Sequence, residues 1–162
     1  LVYYPPAAIR VHESVAPPIK NKSHELVAEL DLPDDSRDGM LVTAGGRTSG
    51  YALYIKNNRL TYVYNYLGID RTVITSSEEV PPGESVVSMK FTRTGDFEGD
   101  AELFIDGRSV GRAHIDRTIP ATFSIEETFD VGEDTGSPII ENGYAVPFRS
   151  EGLEKLTVRV GD

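Results

Sequence analysis

Apolar and polar positions alternate along most of this chain, and no long stretch keeps a helical period. In His24-Glu25-Leu26-Val27-Ala28-Glu29-Leu30-Asp31-Leu32, Leu26, Ala28, Leu30 and Leu32 share one face, while Glu25, Glu29 and Asp31 are among the residues opposite. Successive side chains of an extended strand point to opposite faces, so this spacing predicts a half-buried strand. Pro33 and Asp34-Asp35-Ser36 end it. Residues 39–44 read as a short buried strand running into Gly45-Gly46. Strands at 51–56 and 59–66 follow, joined by Asn57-Asn58, which suits a tight hairpin because Asn tolerates positive φ. Further strands are expected at 71–75, 85–94, 101–106, 108–115, 122–129 and 153–160, with Asp106-Gly107 as a strong hairpin signal.

These short strands, rich in β-branched and aromatic residues and punctuated by 15 Gly and 10 Pro, predict an all-β sandwich or jelly roll. No fixed-period repeat suggests a propeller or solenoid. Residues 1–20 are Pro-rich and weakly patterned, and are expected to be an N-terminal edge segment or linker. Residues 21–162 then form a single β-sandwich domain. The opening Leu1-Val2-Tyr3-Tyr4-Pro5-Pro6 does not read as a signal peptide, and the missing initiator Met suggests a fragment or trimmed chain.

Charge and cysteine content narrow the chemistry. With 16 basic and 26 acidic residues the formal net charge is −10, which repels phosphate backbones and anionic lipid heads. Neither nucleic acid nor membrane is an expected partner, and no apolar run approaches the roughly 20 residues of a membrane-spanning helix. There is no Cys, so disulfides, thiolate metal sites and cysteine nucleophiles are excluded, while the compartment stays open. His12, His24 and His114 lie far apart with no metal-ligand spacing.

Three groups of residues invite a functional reading. Glu29 and Asp31 could be a glycosidase carboxylate pair, but an E-x-D-x-x-E arrangement lacks its third acid here, so a solvated strand face is the better account. Asp130-Val131-Gly132-Glu133-Asp134 is an acidic turn whose oxygens could hold Ca²⁺, with Asp130, Glu133 and Asp134 as ligands. Tyr62, Tyr64 and Tyr66 form one stripe, with Tyr51 and Tyr54 on the preceding strand. Such rings could stack on sugar or lie in a core or interdomain contact.

Several strings together resemble a known family. They include Tyr3-Tyr4-Pro5, Lys20-Asn21-Lys22-Ser23-His24, Gly45-Gly46-Arg47 with Gly50-Tyr51-Ala52-Leu53-Tyr54, and Tyr62-Val63-Tyr64-Asn65-Tyr66-Leu67-Gly68. Phe104-Ile105-Asp106-Gly107 and the stretch from Arg117 through Phe123-Ser124 to Ser137-Pro138 complete them. In order and spacing the chain resembles the C-terminal domain of bacterial arylsulfatases, a region that follows an alkaline-phosphatase-like catalytic domain. The resemblance implies a concanavalin-A-like jelly-roll sandwich of two antiparallel sheets of bacterial origin, with the localisation, cytoplasm or periplasm, left unknown. It also implies a parent enzyme that hydrolyses sulfate esters. Sulfatases convert the Cys or Ser of a C/S-x-P/A-x-R string to formylglycine. Ser14 is followed by Ala16 but then by Pro18 rather than Arg, and Ser137 stands directly before Pro138. The expectation is therefore a non-catalytic accessory domain for interdomain packing or substrate presentation, partnered by the sulfatase catalytic domain of the same chain. The alternative is a glycan-binding, lectin-like module with structural calcium and no other cofactor.

Overall fold

The computed structural model describes residues 2–4, 11–12, 19–34, 37–45, 49–118, 128–131 and 152–161. Twelve strands run through them: β1 Val2–Tyr3, β2 Val11–His12, β3 His24–Leu32, β4 Gly39–Gly45, β5 Gly50–Lys56, β6 Arg59–Tyr66, β7 Asp70–Glu79, β8 Gly83–Gly95, β9 Glu98–Ile105, β10 Arg108–Ile115, β11 Thr128–Val131 and β12 Leu153–Val160. They form two antiparallel six-stranded sheets, ordered β1-β12-β3-β8-β9-β10 and β2-β11-β4-β5-β6-β7, with no helix among the described residues. The chain is an all-β jelly-roll sandwich. The alternating pattern at 24–32 becomes β3 with those bounds, and residues 122–127 of the expected strand 122–129 lie outside the described residues.

The two sheets bury their faces differently, for reasons visible in their residues. In the first, Leu26, Ala28 and Leu30 of β3, Val87 and Met89 of β8, and Leu103 and Ile105 of β9 point into the core. The opposite face carries charge: Lys155 Nζ lies 3.4 Å from Glu29 and Arg159 lies 2.8 Å from Glu25. Glu29 is thus one half of a cross-strand ion pair on a solvated face. In the second sheet, β4 and β5 and most of β6 are buried on both faces, which is why their sequences read as nearly continuous apolar runs.

Register decides which way each tyrosine faces. Leu53 pairs with Tyr62 and Tyr51 with Tyr64, so all four face the inter-sheet core, where the Tyr51 and Tyr62 rings stack 6.4 Å apart. Tyr54 pairs with Thr61 on the other face. Along one edge the sheets meet, because β7 lies against β10: an added Cβ on Gly111 would lie 2.9 Å from Ile74 Cγ2, and Arg108 pairs with Glu78.

Three hairpins close on turns with both central residues at positive φ: Asn57-Asn58 (52° and 63°), Asp106-Gly107 (48° and 83°) and Leu67-Gly68 (53° and 71°). Such turns match the twist of the flanking strands and favour Asn, Asp or Gly. Asp38 supports the first by accepting bonds from the Asn57 and Asn58 amides at 3.0 and 2.9 Å. Leu67 departs from the pattern, since a left-handed conformation costs a residue with a Cβ roughly 1–2 kcal/mol. Phe97, at the turn between β8 and β9, has φ 56° and carries the same penalty.

Candidate functional site

At one end of the β7–β10 seam lies a cleft of about 150 Å³ lined by Tyr64, Tyr66, Asp70, Arg71, Thr72, His114, Ile115, Asp116 and Arg117. Strands β6 and β7 supply one wall, and β10 with the two residues after it supplies the other. The guanidinium of Arg117 lies 4.7 Å from the centre of the Tyr66 ring and pairs with the Asp70 carboxylate. A cation over an aromatic face is attracted by the ring quadrupole, so Tyr66 and Asp70 together fix the direction in which Arg117 points. Asp70 also holds the Arg117 pKa above its ordinary value.

His114 is half-exposed at the same wall. Its Nδ1 lies 2.7 Å from Asp100, and its Nε2 lies 3.3 Å from Glu98 and 3.4 Å from Asp116. The hydrogen bond to Asp100 raises the histidine pKa, and the same bond, with one from Arg112, lowers that of Asp100. The cleft therefore combines guanidinium and imidazole donors, carboxylate acceptors and one aromatic face. That set can orient a polyhydroxylated ligand.

A second, much smaller cavity of about 20 Å³ shares Tyr64 with it and is also lined by Ile19, Lys20, Asn21, His24, Tyr62, Phe91 and Thr118. His24 stacks on Phe91 at 5.1 Å and donates from Nδ1 to the Lys22 carbonyl at 2.9 Å. That bond makes Nε2 an acceptor, and both Nε2 and the Thr118 hydroxyl are buried without a protein partner. Burial holds the His24 pKa down at about 4 despite that backbone bond.

The residues singled out in the sequence are scattered by the fold. Tyr51, Tyr54 and Tyr62 are buried, Tyr64 is a buried wall shared by cavity and cleft, and Tyr66 is the partly exposed member at the cleft. Asp130 falls in β11, while Glu133 and Asp134 lie outside the described residues. Among the described residues, carboxylate oxygens gather instead at Asp31, Glu84 and Glu154, within 4.8 Å of one another and exposed. Sequence reading missed Asp70, Arg71, His114 and Arg117, whose only common signal is that β7 and β10 become neighbours in three dimensions.

No protein-family model matches the chain, and no curated protein does. Solved structures do. The carbohydrate-binding module (CBM40) of the Ruminococcus gnavus IT-sialidase, bound to α2,3-sialyllactose, matches with a TM-score of 0.69 at 13% identity, covering 100% of this chain and 94% of that one. The fold is shared with sialidase modules. The same module bound to α2,6-sialyllactose matches at 0.67 and 14% identity over the same shares. In the NanB sialidase of Streptococcus pneumoniae the match is 0.65 at 9% identity, over 98% of this chain and 26% of that chain.

These likenesses overturn the resemblance to arylsulfatase C-terminal domains, because the neighbours are sialidase modules. The strings behind that resemblance have a local explanation. Asp106-Gly107 closes a hairpin, Gly45 and Gly50 pair where β4 meets β5, and Tyr62 to Asn65 lie in a strand stretch buried on both faces. They encode turns and strands that many antiparallel sandwiches need.

Proposed function

We propose that this domain is a non-catalytic glycan-binding module whose cleft between β6–β7 and β10 holds the terminal acidic sugar of a sialylated glycan. The observation carrying this reading is Arg117, laid across Tyr66 and aligned by Asp70 at a cleft that Arg71 also lines. A fixed guanidinium presents paired N–H groups that match a carboxylate in geometry and charge. Asp70 and Asp116 supply acceptors for sugar hydroxyls, and Tyr66 offers an apolar ring edge. Support also comes from the sialyllactose held by the R. gnavus module of the same fold.

Titration calorimetry with α2,3-sialyllactose, α2,6-sialyllactose and lactose tests the reading. Both acidic sugars are expected to bind and lactose to bind much more weakly. Arg117→Ala should weaken sialyllactose binding at least about tenfold, the scale of a lost hydrogen bond to a charged group. Equal binding of lactose and sialyllactose, or unchanged affinity in Arg117→Ala, rejects it.

Calcium enters this reading as a structural ion only, either at Asp31, Glu84 and Glu154 or at the acidic segment of Asp130, Glu133 and Asp134. It predicts a melting temperature that rises with calcium concentration and falls in chelator. Identical melting in the two conditions removes the ion from the account.

A further inference from the structure

Six described non-glycine residues have positive φ: Asn21, Asn57, Asn58, Leu67, Phe97 and Asp106. Four are Asn or Asp, the types that tolerate this conformation because their short polar side chains bond locally. Leu67 and Phe97 are apolar, and both are exposed, Leu67 to 54% and Phe97 to 36%. Ile69, at the end of the Leu67 turn, is 69% exposed. The turn itself is well built: the Ile69 amide donates to the Tyr66 carbonyl at 3.1 Å, and the Gly68 amide donates to Asn65 Oδ1 at 3.0 Å.

Leu67 and Phe97 do not line the cleft itself, but each adjoins its walls. Leu67 directly follows Tyr66, and Ile69 directly precedes Asp70, two residues that line it. Phe97 precedes Glu98, whose carboxylate reaches His114, and the Phe97 carbonyl accepts from the Thr118 amide at 2.7 Å, next to Arg117. At the opposite end of the sandwich, the β5–β6 and β9–β10 turns use Asn57-Asn58 and Asp106-Gly107. The apolar substitution of a turn position is thus confined to the end that carries the cleft.

We propose that Leu67, Ile69 and Phe97 form an apolar rim that packs against the uncharged sugar attached to the acidic one. The inference rests on the glycan-binding reading above. A pyranose ring carries a C–H face, and aliphatic and aromatic side chains held rigidly at a cleft rim gain from covering it without losing much side-chain freedom on binding. An apolar side chain at these strained positions is then kept for contact with ligand, since Asn or Asp would hold the same turns with less strain.

Leu67→Asn and Phe97→Asn separate the two roles, because Asn accepts the backbone conformation but offers no apolar surface. Each variant is expected to melt about 2–4 °C higher, through release of strain. Each should bind α2,3-sialyllactose about fivefold more weakly, with a smaller loss for free N-acetylneuraminic acid. Leu67→Gly, which removes both strain and side chain, should follow Leu67→Asn in affinity. Raised melting with unchanged sialyllactose affinity in the Asn variants overturns the rim while the cleft stands. Failure of the unsubstituted protein to bind either sugar overturns both.

Discussion

Gly50→Ala is expected to destabilise the domain by on the order of 3–5 kcal/mol, enough to leave much of it unfolded at 37 °C. Gly50 has φ 146°, a region that L side chains rarely adopt. An added Cβ would lie 2.0 Å from the Ala44 carbonyl oxygen, 2.8 Å from Gly45 Cα and 3.0 Å from the Ala44 carbonyl carbon. All three are backbone atoms, so no side chain can rotate away. Gly50 pairs with Gly45 on β4 and with Asn65 on β6, so any displacement moves two ladders together. That shift would reach Tyr51 and Leu53, which pack in the inter-sheet core. Urea unfolding of the variant measures the loss. A midpoint matching that of the parent would show that the β4–β5 junction yields more easily than its geometry implies.

The second large effect is on acid stability, and it centres on His24. Its pKa of about 4 in the folded state lies below the ordinary 6.5 because burial disfavours the imidazolium. A histidine depressed on folding takes up its proton in the unfolded chain first. Its contribution is therefore complete above pH 6.5, declines as pH falls, and is exhausted near pH 4. The difference is worth about 3 kcal/mol. His114 has the opposite sign: its raised pKa stabilises below pH 6.5 and the gain is lost as pH rises through the folded value. Carboxylates also titrate in this range, so the informative quantity is a difference. Unfolding free energies at pH 7 and pH 4.5 should fall farther in the parent than in His24→Gln. Parallel losses in the two proteins would place the acid sensitivity elsewhere.

Much of the fold was legible because strands with one solvated face announce themselves. The Glu25, Glu29 and Asp31 positions alternate with Leu26, Ala28 and Leu30, and β3 takes the bounds that alternation suggests. Strands β1 and β2 were not legible, since each is two residues long and carries no period. The tyrosines were legible as strand residues but not as to burial. Tyr51 and Tyr54 are three apart and so must face opposite ways, yet β5 and β6 are enclosed on both sides, and no local pattern reports that. The cleft was least legible of all. Arg117 and Asp70 are 47 positions apart and meet only through the β7–β10 seam. The Leu67-Gly68 turn did leave a trace, because an apolar residue at a position that favours Asn breaks local consistency, and such breaks concentrate at functional sites.

The strand order of the first sheet also has a bearing on the time the chain needs to fold. Strand β12 lies between β1 and β3, and Arg159 reaches Glu25 across 134 positions. Strand β3 therefore emerges well before β12 and keeps one edge open until residues 153–160 leave the ribosome. Nearly all the pairing that joins this sheet at β12 is distant in sequence, and such pairing must meet its loop-closure entropy before it yields any contact. Refolding from denaturant should accordingly be slow for a chain of this size. The cleft, assembled from residues 64–117, is complete in sequence well before the sheet beside it can close.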